Sequence, residues 1–180
     1  MLYTPTNGMV SSPFGLRWGG TDWHGGIDFA TSIGTPVFAA QSGTVVGVWA
    51  NGVLNKYGRV IVLKHDDASP APYSLYAHLS DSIVSKGQHV NRGQRIGATG
   101  NTGASHDDAS RTVPPHLHFE LLSKWPPPAP DTYRVNPTSY LDPAVFPKGL
   151  KPEVVGIGFG TLLLLGGGAY WFWKSRRRYR

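Results

Sequence analysis

The sequence predicts an all-β domain of antiparallel sheets, followed by one C-terminal transmembrane helix. Glycine and proline are frequent, at 23 and 15 of the 180 residues, which is typical of turn-rich β proteins. Short runs of β-branched and aromatic residues recur between turn signals, and long helical periodicity is missing from most of the chain. We therefore divide the chain into a domain at 1–145, a linker at 146–153, a transmembrane segment at 154–173 and a basic tail at 174–180.

Strands are expected where β-branched and apolar residues cluster, at residues 27–30, 43–49, 59–65, 73–79, 89–90, 95–99 and 114–122. Residues 18–26 are expected to form a glycine-rich loop. Residues 66–72 form a polar hairpin loop, so the strands that flank it are antiparallel. Alternation along 73–79 places Tyr76 and His78 on one face of the sheet, and Tyr76 is then a candidate groove residue.

The segment at 154–173 contains 20 residues without a charge. At 1.5 Å per residue a helix of this length covers about 30 Å, the thickness of the hydrocarbon layer of a membrane. Aromatic residues end the segment and a basic tail follows, as at a membrane interface. A buried core helix is the alternative, but it would not need the adjoining arginine cluster.

The charge distribution gives no argument for nucleic-acid binding. The net charge is +6, but the last seven residues hold five of the 17 lysines and arginines and no acid. The other residues carry 12 basic and 11 acidic side chains. The chain has no cysteine, so a metal site would need histidine and carboxylate ligands.

Two histidines sit two positions apart in the last predicted strand. His116 and His118 therefore project from the same face, while Leu117 and Phe119 project into the core. Paired imidazoles indicate a metal or acid–base site, and solvated histidines on an exposed face are the alternative. Glu120 shares the face of His118. An exposed or structural role is favoured for it over one that supports His118.

A second group of candidate ligands lies in the glycine-rich segment. His24 and Asp28 are separated by three residues, two of which are glycines that let the backbone turn sharply. Together with one member of the histidine pair they would form a three-ligand site with an open position, which is typical of catalytic zinc. The other member would lie beside the metal, and His78 could stabilise an oxyanion or move a proton. Spacing alone does not decide which histidine of the pair is the ligand.

Seven ordered motifs occur between residues 11 and 141. They are Ser-x-Phe-Gly-x-Arg at 12–17, His-x-x-x-Asp at 24–28, Gly-Thr-Pro-Val at 34–37, Tyr-Ala-His-Leu at 76–79, Val-x-x-Gly-Gln-x-Ile-Gly at 90–97, Gly-Asn-Thr-Gly at 100–103 and His-Leu-His-Phe-Glu at 116–120. In these motifs the chain resembles the lysostaphin/LytM-type zinc endopeptidases, which have a duplicated-hybrid-motif-like β fold. Members of that family cut peptide stems or cross-bridges in bacterial peptidoglycan.

The resemblance implies a groove-bearing peptidase domain that binds one Zn²⁺ per chain. The metal ligands would be His24, Asp28 and His118. His116 would be the general base or the histidine that positions the water, and His78 would stabilise the transition state. The loop at 103–115 is longer than is usual in the family and borders the groove. The remaining histidines receive no role in the site: His65 and His89 are expected to be solvated, and His106 lies in that loop.

The leading hypothesis is therefore a membrane-anchored zinc endopeptidase that opens the cell wall locally, as in phage entry. Its partners would be peptidoglycan peptides, a lipid bilayer through 154–173, and virion or envelope proteins, but no nucleic acid. The positive-inside rule places the tail in the cytoplasm and the domain towards the wall, in a virion membrane or the bacterial inner membrane. The first ten residues lack a signal-peptide pattern, which favours the virion. The alternatives are a bacterial envelope hydrolase that remodels the wall and a non-catalytic module that binds peptidoglycan or activates other hydrolases.

Overall fold

One large antiparallel sheet organises the domain. The computed structural model describes residues 1–17, 20, 22–50, 56–103, 113–125 and 133–145. The strands are β1 (Met9–Ser12), β2 (Gly15–Arg17), β3 (Asp22–His24), β4 (Ile27–Ala30), β5 (Pro36–Phe38), β6 (Gly43–Trp49), β7 (Val60–His65), β8 (Tyr73–Ala77), β9 (Leu79–Ser82), β10 (His89–Val90), β11 (Arg95–Thr99), β12 (His116–Leu122) and β13 (Arg134–Val135).

The large sheet has the strand order β1-β4-β12-β8-β7-β6-β10, with β13 also paired to β12. A second sheet has the order β5-β11-β9, and β2 and β3 form a hairpin. All the pairings are antiparallel. Two short 3₁₀ turns, Thr138–Tyr140 and Pro143–Val145, are the helical elements of the described residues. The predicted all-β antiparallel class is confirmed.

The central strand β12 divides the core from the histidine face. Leu117, Phe119 and Leu121 are fully buried on one face, where they join the main hydrophobic core. Burying side chains of this kind contributes about 1.5–3 kcal/mol each. A slip of one residue would move the histidines and Glu120 into this core and the apolar set to the opposite face, so the core fixes the register of the strand.

Strand pairing then brings distant residues together on the histidine face. His118 pairs with Asp28 of β4 on one side and with Ala77 of β8 on the other. Directly paired residues project from the same face, with Cβ atoms about 4.5–5.5 Å apart. Asp28 therefore lies beside His118, although 90 positions separate them.

A smaller apolar cluster covers the rest of the histidine face. Its buried members are Val60, Val62, Leu75, Ala77 and Leu122, and its partly buried members are Val46, Trp49, Tyr57, Tyr73 and Trp125. The face that carries the histidines is thus largely withdrawn from water. In such an environment, electrostatic interactions between charged groups are stronger than at an exposed surface.

The structure corrects the predicted position of Tyr76. Strand β8 ends at Ala77, and His78 adopts a left-handed backbone conformation with φ of 59°. Regular alternation would have pointed His78 to the core, and this conformation turns it to the histidine face instead. Tyr76 stays on the core face, fully buried, with its ring centroid 5.3 Å from that of Phe119. The prediction that Tyr76 shares a face with His78 and lines a groove is wrong.

Two further expectations differ from the structure. Part of the predicted loop at 18–26 is strand β3, so His24 lies at the end of a hairpin. His65 was expected to be solvated but is buried, where Nδ1 lies 2.7 Å from the oxygen of Ala71 and Nε2 lies 2.8 Å from Ser74 Oγ. His89 is 54% exposed, as predicted, and lies 2.9 Å from Asp66.

Several predictions fall outside the described residues. These are the linker at 146–153, the transmembrane segment at 154–173, the tail at 174–180, His106 and most of the loop at 103–115. Within the described ranges, no helix is both long enough and apolar enough to cross a bilayer.

The core position of Tyr76 predicts the effect of removing its hydroxyl. That oxygen lies 2.8 Å from the backbone nitrogen of Ala40, which donates to it, and 3.0 Å from Ser74 Oγ. Tyr76→Phe leaves the N–H of Ala40 buried without this acceptor, so we expect the free energy of unfolding to fall by about 1–3 kcal/mol. Urea denaturation of the variant and the wild type tests this. A difference below about 0.5 kcal/mol would contradict the buried position, because surface substitutions usually have effects of that size.

Candidate metal centre

Three acceptor atoms from three strands converge on one point. Asp28 Oδ1 lies 3.1 Å from His24 Nε2 and 2.8 Å from His118 Nδ1. The two imidazole nitrogens are 3.0 Å apart. Among the described residues, these three form the group that could hold a metal ion. Ligands at about 2.0–2.1 Å from a tetrahedral zinc ion lie about 3.4 Å apart, so a shift of a few tenths of an ångström would accommodate the ion.

The turn between β3 and β4 sets the positions of the first two ligands. Gly26 lies where this turn passes β12, and a Cβ at that position would overlap the backbone oxygen of Phe119. A residue with a side chain would push the turn away from the strand. The glycine therefore lets His24 and Asp28 reach His118.

Hydrogen bonds on the far side of each imidazole determine which nitrogen faces the centre. His24 Nδ1 lies 2.8 Å from the oxygen of Pro13, and His118 Nε2 lies 2.9 Å from Glu120 Oε1. Both oxygens only accept hydrogen bonds, so these ring nitrogens carry the protons. The opposite nitrogens of His24 and His118 then present lone pairs to Asp28. Three acceptors at this distance need a shared proton or a cation between them.

In the metal-free protein a proton can fill this role. Burial raises the pKa of Asp28, but its close contacts with the imidazoles of His118 and His24 outweigh this effect and keep the pKa below the usual range. Burial lowers the pKa of His118, but hydrogen bonds to Asp28 and Glu120 outweigh it and raise the pKa to about 9. The centre therefore favours positive charge, which a divalent cation would supply in place of the proton.

His116 and His78 stand next to this centre with their own acceptor nitrogens. Nδ1 of His116 lies 2.7 Å from the oxygen of Pro114, and Nδ1 of His78 lies 2.8 Å from the oxygen of Thr102. Their ring centroids are 4.5 Å apart. His116 Nε2 lies 3.7 Å from Asp28 Oδ1. The structure thus brings all five predicted site residues into one cluster.

Both of these histidines are neutral at neutral pH. Burial, followed by the charges of His118 and His116, lowers the pKa of His78 to about 3. Burial also lowers the pKa of His116. Each ring therefore offers an unprotonated Nε2 beside the metal centre, as a proton acceptor requires.

Two residues that were not predicted as part of the site, Arg17 and Glu120, hold the ligands in place. Arg17 binds Asp22 through two nitrogens and donates to Ser12 Oγ at 3.0 Å. Its Nη1 also lies 3.8 Å from Asp28 Oδ2, whereas His118 contacts the other oxygen, Oδ1. Glu120 is 2% exposed and bonded to His118, so the expectation of an exposed position is wrong. Its place on the face of His118 was the sequence signal for this contact.

Comparison with known proteins identifies the family. The sequence profile of Peptidase family M23 matches residues 22–136. The chain belongs to this family. The predicted resemblance to lysostaphin/LytM-type peptidases is thereby confirmed.

The similar proteins include both a peptidoglycan endopeptidase and an activator of murein hydrolases. Over 104 residues the chain is 41% identical to the peptidoglycan DD-endopeptidase ShyA of Vibrio cholerae. This match covers 58% of this chain and 21% of ShyA. Over 137 residues it is 36% identical to the murein hydrolase activator NlpD of Escherichia coli. This match covers 76% of this chain and 30% of NlpD. The chain thus matches less than a third of each relative.

A solved structure supports the fold. The catalytic domain of the antimicrobial peptidase lysostaphin from Staphylococcus simulans superimposes with a TM-score of 0.59 at 30% identity. The match covers 74% of this chain and 92% of that domain.

The proton held by His118 predicts how stability depends on pH. In metal-free protein we expect the contribution of His118 to the free energy of unfolding to be complete below about pH 6.5, the pKa of an unfolded histidine, and to be lost as the pH rises to about 9. The full difference corresponds to about 3 kcal/mol. Urea denaturation with chelator at pH 6, 7.5 and 9 measures it.

His118→Gln is the control for this experiment, since it should remove the dependence in that window. Added Zn²⁺ should reverse the trend in the wild type, because the ion competes with the proton for Nδ1. Stability of the metal-free wild type that rises between pH 6.5 and 9 would contradict the proton position.

Proposed function

We propose that the chain is a zinc endopeptidase that hydrolyses peptide bonds in bacterial peptidoglycan cross-links. The observation that carries this proposal is the convergence of three ligand atoms next to two neutral histidines with free acceptor nitrogens. Membership of Peptidase family M23 and the similarity to the endopeptidase ShyA support it.

Zinc is the metal that fits the ligand set best. Two imidazoles and one carboxylate, with a fourth position left for water, are the ligands of catalytic zinc sites. Oxygen-rich ions such as Mg²⁺ and Ca²⁺ would need more carboxylate or carbonyl ligands than His24, Asp28 and His118 provide. A bound zinc ion would supply a Lewis acid that lowers the pKa of water to about 7.

The two neighbouring histidines would handle the protons. His116 Nε2 would accept a proton from the water that attacks the amide carbonyl. His78 Nε2 is also an acceptor in the resting state, so it could donate to the tetrahedral oxyanion only after it gains a proton. Because the two rings are in contact, they could share the proton taken from the water and then pass it to the leaving amine. Protonation of both rings at once is disfavoured, because burial lowers the pKa of His78 and of His116.

A non-catalytic activator is the second candidate, because the chain is also similar to the murein hydrolase activator NlpD. The two candidates differ in what the chain does alone. An endopeptidase releases peptides from purified peptidoglycan by itself, whereas an activator acts only when another hydrolase is present. The complete set of site residues favours the endopeptidase.

We further propose that residues 154–173 anchor the enzyme in a membrane with the domain towards the cell wall. The charge-free length of the segment, its terminal aromatic residues and the basic tail support this. A phage virion, where wall cutting would be local, is the proposed setting. A bacterial envelope hydrolase is the alternative, and proteomics of purified particles separates them, since absence from virions would contradict the phage assignment.

Hydrolysis should depend both on the bound metal and on His116 as the general base. We expect chelator treatment and His118→Ala to stop release of peptides from peptidoglycan, and His116→Ala to slow it by about 10²–10⁴-fold, the usual contribution of a general base. Mass spectrometry of the released muropeptides measures this and identifies the bond cut.

His89→Ala is the matched control, because this histidine is exposed and paired with Asp66. It should retain the wild-type rate. If His116→Ala retained the rate within a few-fold, its role as base would be refuted. If the wild type released nothing without a second hydrolase, the activator would be the better assignment.

The anchor predicts that one charge in the segment changes membrane binding. An arginine near the middle of a membrane helix costs about 2.5–3.5 kcal/mol on insertion scales. We therefore expect the 180-residue chain to remain in the membrane fraction after alkaline extraction, and Leu163→Arg to be released in part. Full release of the wild-type chain would contradict the anchor.

A further inference from the structure

We propose that Tyr57 and Arg134 are positioning residues of the metal centre, which act on His118 through Glu120. This inference rests on the metal assignment in the proposed function. It concerns residues that belong to none of the motifs with assigned roles.

A hydrogen-bonded chain links the four side chains. Glu120 Oε1 lies 2.9 Å from His118 Nε2 and 2.8 Å from the hydroxyl oxygen of Tyr57. That hydroxyl lies 2.9 Å from Arg134 Nη2, and Arg134 Nε lies 3.3 Å from Glu120 Oε2. Glu120 is 2% exposed, so these contacts replace water as its partners.

The direction of the chain follows from the chemistry of arginine. A guanidinium group only donates hydrogen bonds, so Arg134 donates to the oxygen of Tyr57. The hydroxyl proton of Tyr57 is then directed to Glu120. The carboxylate thus accepts from both Tyr57 and His118, which requires the proton of His118 to be on Nε2. In the metal-bound protein, the nitrogen of His118 that carries no proton would therefore be Nδ1, the atom that faces Asp28.

This explains why the two histidine ligands present different nitrogens. His24 offers Nε2 because its Nδ1 donates to Pro13, whereas His118 offers Nδ1 because Glu120 occupies its Nε2. The wrong tautomer or ring orientation of His118 would direct an N–H towards the metal. Outer hydrogen bonds of this kind typically change metal affinity by about 10–100-fold.

Tyr57 and Arg134 also contact other parts of the site. The backbone oxygen of Tyr57 accepts a hydrogen bond of 2.8 Å from the backbone nitrogen of His78. The side chain of Arg134 lies against Gly25, where a Cβ would overlap it, so it packs on the turn between His24 and Asp28. Tyr57 thus contacts the backbone of His78, and Arg134 packs against the turn that carries His24 and Asp28.

Zinc affinity tests this inference without measuring catalysis. We would compare the 180-residue wild type, Tyr57→Phe and Glu120→Gln in competition with a chromogenic chelator at a fixed pH. We expect zinc affinity to fall about 10-fold for Tyr57→Phe and 10–100-fold for Glu120→Gln. The visible absorption of the Co²⁺-substituted proteins should also change, because it reports ligand geometry.

Tyr73→Phe is the matched control, because it removes a tyrosine hydroxyl from the same apolar cluster, on β8. It should bind zinc as the wild type does. Tyr57→Phe removes one oxygen atom and so keeps the test valid if Glu120→Gln does not fold. Wild-type zinc affinity and an unchanged cobalt spectrum in Tyr57→Phe would overturn the inference and leave the metal centre standing. Failure of the wild type to bind zinc would overturn the proposed function together with it.

Discussion

Mutual repulsion between three acceptor atoms is the constraint around which the described part of the chain is built. His24 Nε2, Asp28 Oδ1 and His118 Nδ1 face one another at about 3 Å, with their protonated nitrogens turned outwards. Such a cluster is stable only with positive charge at its centre. The outward partners, from Pro13 to Glu120, prevent the rings from rotating to relieve the repulsion.

The two faces of β12 have different roles: one packs into the core and the other carries the histidines. Leu117, Phe119 and Leu121 lock the strand into the core, so the histidines on the opposite face have fixed positions. The same register brings Asp28 beside His118. Stability and site geometry thus depend on one ladder of strand pairs.

Periodicity was sufficient to predict part of this site. The two-residue spacing placed His116 and His118 on one face, and their neighbours in the core, as the structure shows. It failed at Tyr76, because the left-handed backbone conformation of His78 breaks the alternation and no local pattern announces this conformation. The expected exposure of His65, at the end of a strand, was also wrong, because its burial depends on contacts with Ala71 and Ser74 that form only when the hairpin closes. The contacts of Tyr57 and Arg134 depend on tertiary packing between segments far apart in the chain, which periodicity does not report.

X-ray diffraction from crystals grown with zinc, recorded on both sides of the zinc absorption edge, would test the metal centre most directly. We predict one anomalous peak per chain, within about 2.0–2.2 Å of His24 Nε2, Asp28 Oδ1 and His118 Nδ1. His116 and His78 should lie near the ion without binding it. A peak elsewhere, or coordination through the other nitrogen of His118, would contradict this account.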